Sequence, residues 1–169
     1  MKKELEKTKT TVGKIKAAVE KNNKEGYAVI ARTEALIQGK GIEVAMERAK
    51  AYTDAGCDGF LIHNKNSTPD EVLRFAERYH RDGIKTPLVI VPTTYNQITV
   101  QQMKDAGVSL AIYANYSVRA AVSILQEMFS QIIDGGTLSA GNDEVVPMST
   151  IFDLIAVDEL KENQEKYGS

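Results

Sequence analysis

Four short apolar runs, each ending in a polar cluster and each followed by a helix-length segment, constrain the fold of this chain more than any other feature. Tyr27-Ala-Val-Ile-Ala31 runs into Arg32-Thr33-Glu34-Ala35, and Gly59-Phe-Leu-Ile62 into His63-Asn64-Lys65. Leu88-Val-Ile-Val91 runs into Pro92-Thr93-Thr94-Tyr95, and Leu110-Ala-Ile112 into Tyr113-Ala114-Asn115. The runs are nearly continuous rather than alternating. That is the pattern of strands buried on both faces, as in a parallel sheet covered by helices. Parallel α/β folds place their chemistry at the C-terminal ends of strands, so the four polar clusters are the candidate site.

Glycine punctuates the same repeat. Gly26, Gly56, Gly83 and Gly107 precede the runs at spacings of 30, 27 and 24 residues, two of them within a shared Asp-Ala-Gly tripeptide. Each is predicted to end a helix, because glycine accepts the left-handed conformation found there. The intervening segments have helical stripes: Val12, Ile15 and Val19; Ile42, Ala45, Ala49 and Tyr52; Val72, Ala76 and Tyr79. After the fourth run, Val118, Ala121, Val122, Leu125, Phe129 and Ile132 line another face. Thr68-Pro69-Asp70-Glu71 predicts a helix start, with Thr68 as cap, Pro69 in the first turn and Glu71 three residues after the cap. Units of this length fit a (β/α)8 barrel, but a complete barrel needs roughly 200 residues or more. The expectation is therefore an α/β fold amounting to half a barrel. A four-stranded doubly wound sheet fits by length, although no Gly-rich phosphate loop supports it. The predicted organisation is one domain over 1–169. A leading helix spans 1–25, four βα units span 26–134, a Gly-rich link spans 135–146 and a helical segment spans 147–169.

Composition excludes some functions. A net charge of −2 gives no reason to expect nucleic-acid binding. No apolar run approaches the ~20 residues of a membrane span, and Lys2 and Lys3 precede no signal-peptide core. The expected location is cytoplasmic. Cys57 is the single cysteine, so no internal disulfide forms, and its place before an apolar run makes it a small core residue. Charge is uneven: residues 1–25 carry eight Lys against four Glu, and residues 143–169 carry seven acids against two Lys. Two solvated helices account for this; mutual attraction, or attraction to a second subunit, is the sharper alternative.

Among the polar clusters, Arg32 offers a planar fork for a carboxylate or phosphonate. Glu34, two residues on, points to the same side of an extended segment and is expected to support Arg32 or simply to stiffen the rim. His63 can donate to developing negative charge or carry a proton. Lys65 adds charge beside it. Thr93, in the loop Pro92-Thr93-Thr94-Tyr95 over the ligand, and Asn115 are weaker candidates for binding. His80, between Arg78 and Arg81 on a helix, reads as solvent-facing. The sequence contains no metal-ligand cluster and no Gly-x-Ser-x-Gly elbow.

These residues resemble a known family. Val29-Ile-Ala-Arg-Thr-Glu-Ala-Leu36 is similar to the fifth-strand motif of the isocitrate lyase/phosphoenolpyruvate mutase superfamily. Leu61-Ile-His-Asn-Lys65 resembles the His-Ser-Lys or His-Ser-Arg strand end of phosphoenolpyruvate mutases and phosphonopyruvate hydrolases, with Asn64 in place of the usual Ser. Val89-Ile-Val-Pro-Thr-Thr-Tyr95 and Ile112-Tyr-Ala-Asn-Tyr-Ser-Val-Arg-Ala-Ala-Val122 match the same branch, and the likeness runs from about residue 12 to Tyr167. The resemblance implies the C-terminal half of a Mg²⁺-dependent (β/α)8 barrel. It implies a small α-keto acid phosphonate or enol phosphate as substrate, with Arg32 and His63 on its anionic groups. It also implies that the Mg²⁺-binding carboxylates and a mobile Lys/Asn loop belong to the first four strands, to which nothing here corresponds. The expected activity is phosphoenolpyruvate/phosphonopyruvate interconversion, with phosphonopyruvate hydrolysis or a non-catalytic assembly role as alternatives. The chain alone is expected to be inactive, to hold no Mg²⁺ tightly, and to join a complementing N-terminal half or form a homo-oligomer, with 147–169 exchanged between subunits.

Overall fold

The computed structural model describes residues 4–21 and 27–168; Lys2, Lys3 and Gly26 lie outside them. The chain divides into two compact units, 1–114 and 115–169.

The first unit contains helix α1 (Thr8–Lys21), then three strand–helix repeats and a fourth strand: β1 (Ile30–Thr33), α2 (Gly41–Asp54), β2 (Gly59–Ile62), α3 (Asp70–Arg81), β3 (Leu88–Ile90), α4 (Val100–Asp105) and β4 (Val108–Ala111). All neighbouring strands are parallel, and their spatial order is β1-β2-β3-β4. A doubly wound sheet reverses its order at a switch point; this one does not. Strands added in chain order form a segment of a barrel, so the fold is a partial (β/α)8 barrel.

The core lies between the sheet and α2 and α3. Ala45, Ala49 and Tyr52 from one helix and Val72, Phe75, Ala76 and Tyr79 from the other close on Phe60, Ile62, Leu88 and Ile90. The rings of Phe75 and Tyr79 both stack on Phe60, at 6.0 and 5.9 Å between centroids, and are tilted to each other at 5.7 Å. Gly56, Gly83 and Gly107 all take positive φ at the ends of their helices, as their positions predict. Cys57 is a buried core thiol, and burial raises its pKa.

Several local expectations change. β1 begins at Ile30 rather than Tyr27, because the Val29 N–H donates to the Asp58 carboxylate at 2.7 Å and the Val29 carbonyl accepts from the Asp58 N–H. β4 starts two residues early, at Val108, with a register irregularity opposite Leu88 and Val89. Burial on both faces holds only for β2 and β3; β1 and β4 are edges whose residues alternate or stay half-covered. Thr68 does not cap α3. Pro69 holds that position with no side-chain bond, because the Glu71 carboxylate is taken by the Asn64 and Asn66 amides. The capping box lies instead at Thr99 and Gln102. His80 is exposed, yet its Nε2 lies 3.1 Å from the Gly107 carbonyl oxygen.

The second unit contains α5 (Tyr116–Gly135), a 3-10 turn over Leu138–Glu144, α6 (Met148–Leu154) and α7 (Val157–Tyr167). The predicted apolar stripe on α5 is present, but none of it is buried. Gly141 fits against Met128 and Ile132, where a Cβ would lie about 3.0 Å from both. Among the described residues no helix is long and apolar enough to cross a membrane.

Candidate active-site wall

Register and side-chain alternation bring the first two polar clusters together. Arg32 pairs with Leu61, and Thr33 with Ile62. Thr33 and Ile62 are buried, and Ile62 belongs to the helix-side core. Successive strand residues point to opposite faces, so Arg32 and His63 both turn to the other, inner face at adjacent strand ends.

Arg32 is half-exposed. Its Nη2 donates to Glu34 Oε1 at 2.5 Å, so the expected Arg32–Glu34 pair exists. The pair leaves further guanidinium donors for a planar anion. Past Glu34 the chain is not loose: Gln38 donates to the Glu34 carbonyl at 3.0 Å, and Ala35 and Leu36 are buried beneath the turn.

His63 is partly buried, and its Nδ1 has no hydrogen-bond partner. Burial, then the positive charge of Arg32, hold its pKa below the ordinary histidine value; the Val91 backbone and Glu34 pull the other way, and Lys65 again lowers it. The shift favours the neutral imidazole. It can donate or accept a hydrogen bond without carrying charge. The Lys65 side chain is exposed, while its N–H donates to Asn64 Oδ1 at 2.6 Å.

The turn after β3 completes this wall. Tyr95 is fully buried in the core rather than arching over a ligand. Its ring lies 6.1 Å from that of His63. Burial pushes its hydroxyl pKa up to about 12; the hydroxyl lies near the Val91 backbone but meets no full hydrogen-bond geometry. The Thr93 hydroxyl is likewise buried and unpartnered. Three polar atoms without partners, from His63, Thr93 and Tyr95, thus sit on two adjacent strand ends. Buried polar groups ordinarily find partners, so these atoms keep hydrogen-bonding capacity at the two strand ends. Asn115 opens the second unit, with φ of 65° at the N-cap of α5, and the first unit's cluster is built without it.

Asn64 escaped the sequence reading as a site residue. It is 2% exposed and makes the most side-chain bonds of this rim among the described residues. Only its placement after His63 at a strand end signalled it.

No group of three or more His, Cys, Asp or Glu side chains able to hold a metal ion occurs among the described residues. Glu34 is committed to Arg32, and a hard cation needs several converging oxygens. These residues do not by themselves fit a Mg²⁺ site.

Because the folded pKa of His63 is depressed, the unfolded chain binds its proton more readily. Stability therefore falls as pH drops below the unfolded value of about 6.5 toward the folded one. Urea midpoints measured from roughly pH 7 down to 5 are expected to show this slope. His63→Gln is expected to flatten it, and an unchanged slope would assign the titration to another group.

Comparison with known proteins shows the family. A family profile described as phosphoenolpyruvate phosphomutase matches residues 1–133. The phosphoenolpyruvate phosphomutase of Tetrahymena pyriformis is 36% identical over 156 residues, which are 92% of this chain and 51% of that protein. The crystal structure of phosphoenolpyruvate phosphomutase from Streptomyces platensis subsp. rosaceus is 36% identical and superposes with a TM-score of 0.87, over 99% of this chain and 57% of that one. A phosphonopyruvate hydrolase complexed with oxalate and Mg²⁺ gives 35% identity and 0.85, over 98% and 58%. The chain spans about half the length of the curated relatives it matches.

Proposed function

The chain belongs to the phosphoenolpyruvate phosphomutase family, and we propose that it supplies the anion-holding wall of an active site that interconverts phosphoenolpyruvate and phosphonopyruvate. The observation that carries this is the placement of Arg32 and His63 at adjacent parallel strand ends, on the face that alternation assigns to both. In the reaction the phosphorus–oxygen bond to the enol breaks and a phosphorus–carbon bond forms, or the reverse. Negative charge stays on the transferring phosphoryl group and the keto acid throughout. Fixed donors aimed at that charge are what such a transfer needs. Arg32 offers a permanent charge, held in place by Glu34. His63 offers a neutral hydrogen bond that does not neutralise the phosphoryl oxygens. Thr93 is assigned to substrate contact, and Lys65 to the local positive field.

Mg²⁺ accompanies oxalate in the phosphonopyruvate hydrolase complex. In the barrel proposed here its ligands come from the complementing N-terminal half. Isothermal titration of Mg²⁺ into this chain alone is expected to show no micromolar site; finding one would place the metal ligands on this half.

Activity is tested by mixing the chain with the N-terminal half of a phosphoenolpyruvate phosphomutase, Mg²⁺ and phosphonopyruvate. Phosphoenolpyruvate formation supports the proposal. Pyruvate and phosphate would show a hydrolase instead. A folded complex with no turnover would leave a binding or assembly role. The edges β1 and β4, with half-exposed Ile30 and Leu110 and with Ile112 just past β4, are the surfaces for the complementing half or for a second copy. Sedimentation equilibrium with and without that half distinguishes the two.

A further inference from the structure

Asn64 follows His63 but faces the opposite way, into the junction of three elements. Its Nδ2 donates to the Glu71 carboxylate in the first turn of α3. Its Oδ1 accepts from the Lys65 N–H at 2.6 Å and the Asn66 N–H at 3.1 Å, an Asx turn that closes the end of β2. Its backbone carbonyl accepts from Thr94 Oγ1 at 2.8 Å, in the turn after β3. Asn66 Nδ2 also donates to Glu71 at 3.3 Å. Glu71 can only accept and the two N–H groups can only donate, so the amide orientation is fixed by its partners.

A strand end with no such tether frays, and alternation of side chains is then lost. Here the amide of Asn64 is held on the helix side. His63, one residue earlier, is thereby held on the inner side. We propose that Asn64 is a positioning residue for His63, fastening the end of β2 to α3 and to the turn after β3 so that the imidazole keeps its inward, partly dry setting. The Thr94 bond also ties the loop carrying His63 to the loop carrying Thr93 and Tyr95, so the two rims behave as one body. The consequence for turnover rests on the function proposed above; the setting of His63 does not, and is measured in the chain alone.

Serine, which the family resemblance places at this position, can close a similar turn through its hydroxyl. It cannot reach Glu71 as the longer amide does. Asn64→Ser therefore separates the turn from the tether, and Asn64→Ala removes both. Glu71→Gln keeps an acceptor oxygen and is the conservative control.

The test is NMR titration of the two histidine rings in the full chain, with hydrogen exchange of the Lys65 and Asn66 amides. The groups acting on His63 are Arg32 and Glu34 from the end of β1, Lys65 from its own loop, and Tyr95 and the Val91 backbone from β3; none is altered by these substitutions. His80, bonded at Gly107, is the internal reference. Asn64→Ala is expected to raise the His63 midpoint by about half a unit or more as water reaches the ring. The two amides are expected to exchange about tenfold faster. Asn64→Ser is expected to fall between, and Glu71→Gln near the parent. If Asn64→Ala does not fold, Asn64→Ser decides alone. A folded Ser variant with His63 moved supports the proposal. A folded variant that is merely less stable, with His63 and both amides unchanged, overturns it and makes Asn64 a residue of the fold alone.

Discussion

In a barrel reassembled from this chain and an N-terminal half, Arg32→Lys is expected to lower turnover by about 10²- to 10³-fold, the usual consequence of losing one well-aimed donor to developing charge. Lysine keeps the positive charge. It loses the planar fork that meets an anion at two points. The fold should not suffer, because Arg32 is half-exposed and its bond with Glu34 is a surface ion pair, worth about 1 kcal/mol or less. A lysine ammonium can also reach Glu34, so the rim stays tied. The effect should therefore appear in kcat with little change in thermal stability. If the variant turns over at near the parent rate, the guanidinium only braces the rim through Glu34, and the anion-holding role falls.

Much of the wall was legible in sequence because it follows from local rules. Gly56, Gly83 and Gly107 end their helices by the left-handed conformation that glycine tolerates. Arg32 and His63 end apolar runs, and strand alternation then fixes their common face. What escaped was set by contacts between elements. Tyr95 looked like a loop residue, yet it is buried because the turn after β3 folds back into the core. Arg48, on the same helix as the predicted stripe, is buried too. Its Nη2 donates at 2.7 Å to the Glu6 carbonyl, 42 residues away, and its Nη1 to the Tyr52 hydroxyl at 2.8 Å. No periodicity in α2 signals a guanidinium held that way. Thr68 failed as a cap for the same reason. The Glu71 carboxylate, which a capping box requires, is drawn off by two amides from the preceding strand end. Burial in the core decides Tyr95, distant partners decide Arg48, and competing amides decide Thr68.

Phe60→Ala is expected to remove about 3–5 kcal/mol of stability, the range for truncating a buried aromatic ring. Phe60 is completely buried on β2. Its ring stands 5.9 Å from Tyr79, 6.0 Å from Phe75 and 6.3 Å from Tyr52, so it joins α2 and α3 to the middle of the sheet. The hole left behind cannot close easily, because three of its walls are rings on two different helices. Domains of this size are commonly stable by about 5–15 kcal/mol, so the loss is a large part of the whole. Phe60→Leu keeps most of the volume and is expected to cost clearly less. Urea unfolding followed by far-UV circular dichroism checks both. The consequence extends to the site: β2 also carries His63 and Asn64, so a sheet loosened at Phe60 should bring the His63 titration back toward the ordinary histidine value. Comparable midpoints for Phe60→Ala and the parent would mean that α2 and α3 are held to the sheet by contacts other than this aromatic stack.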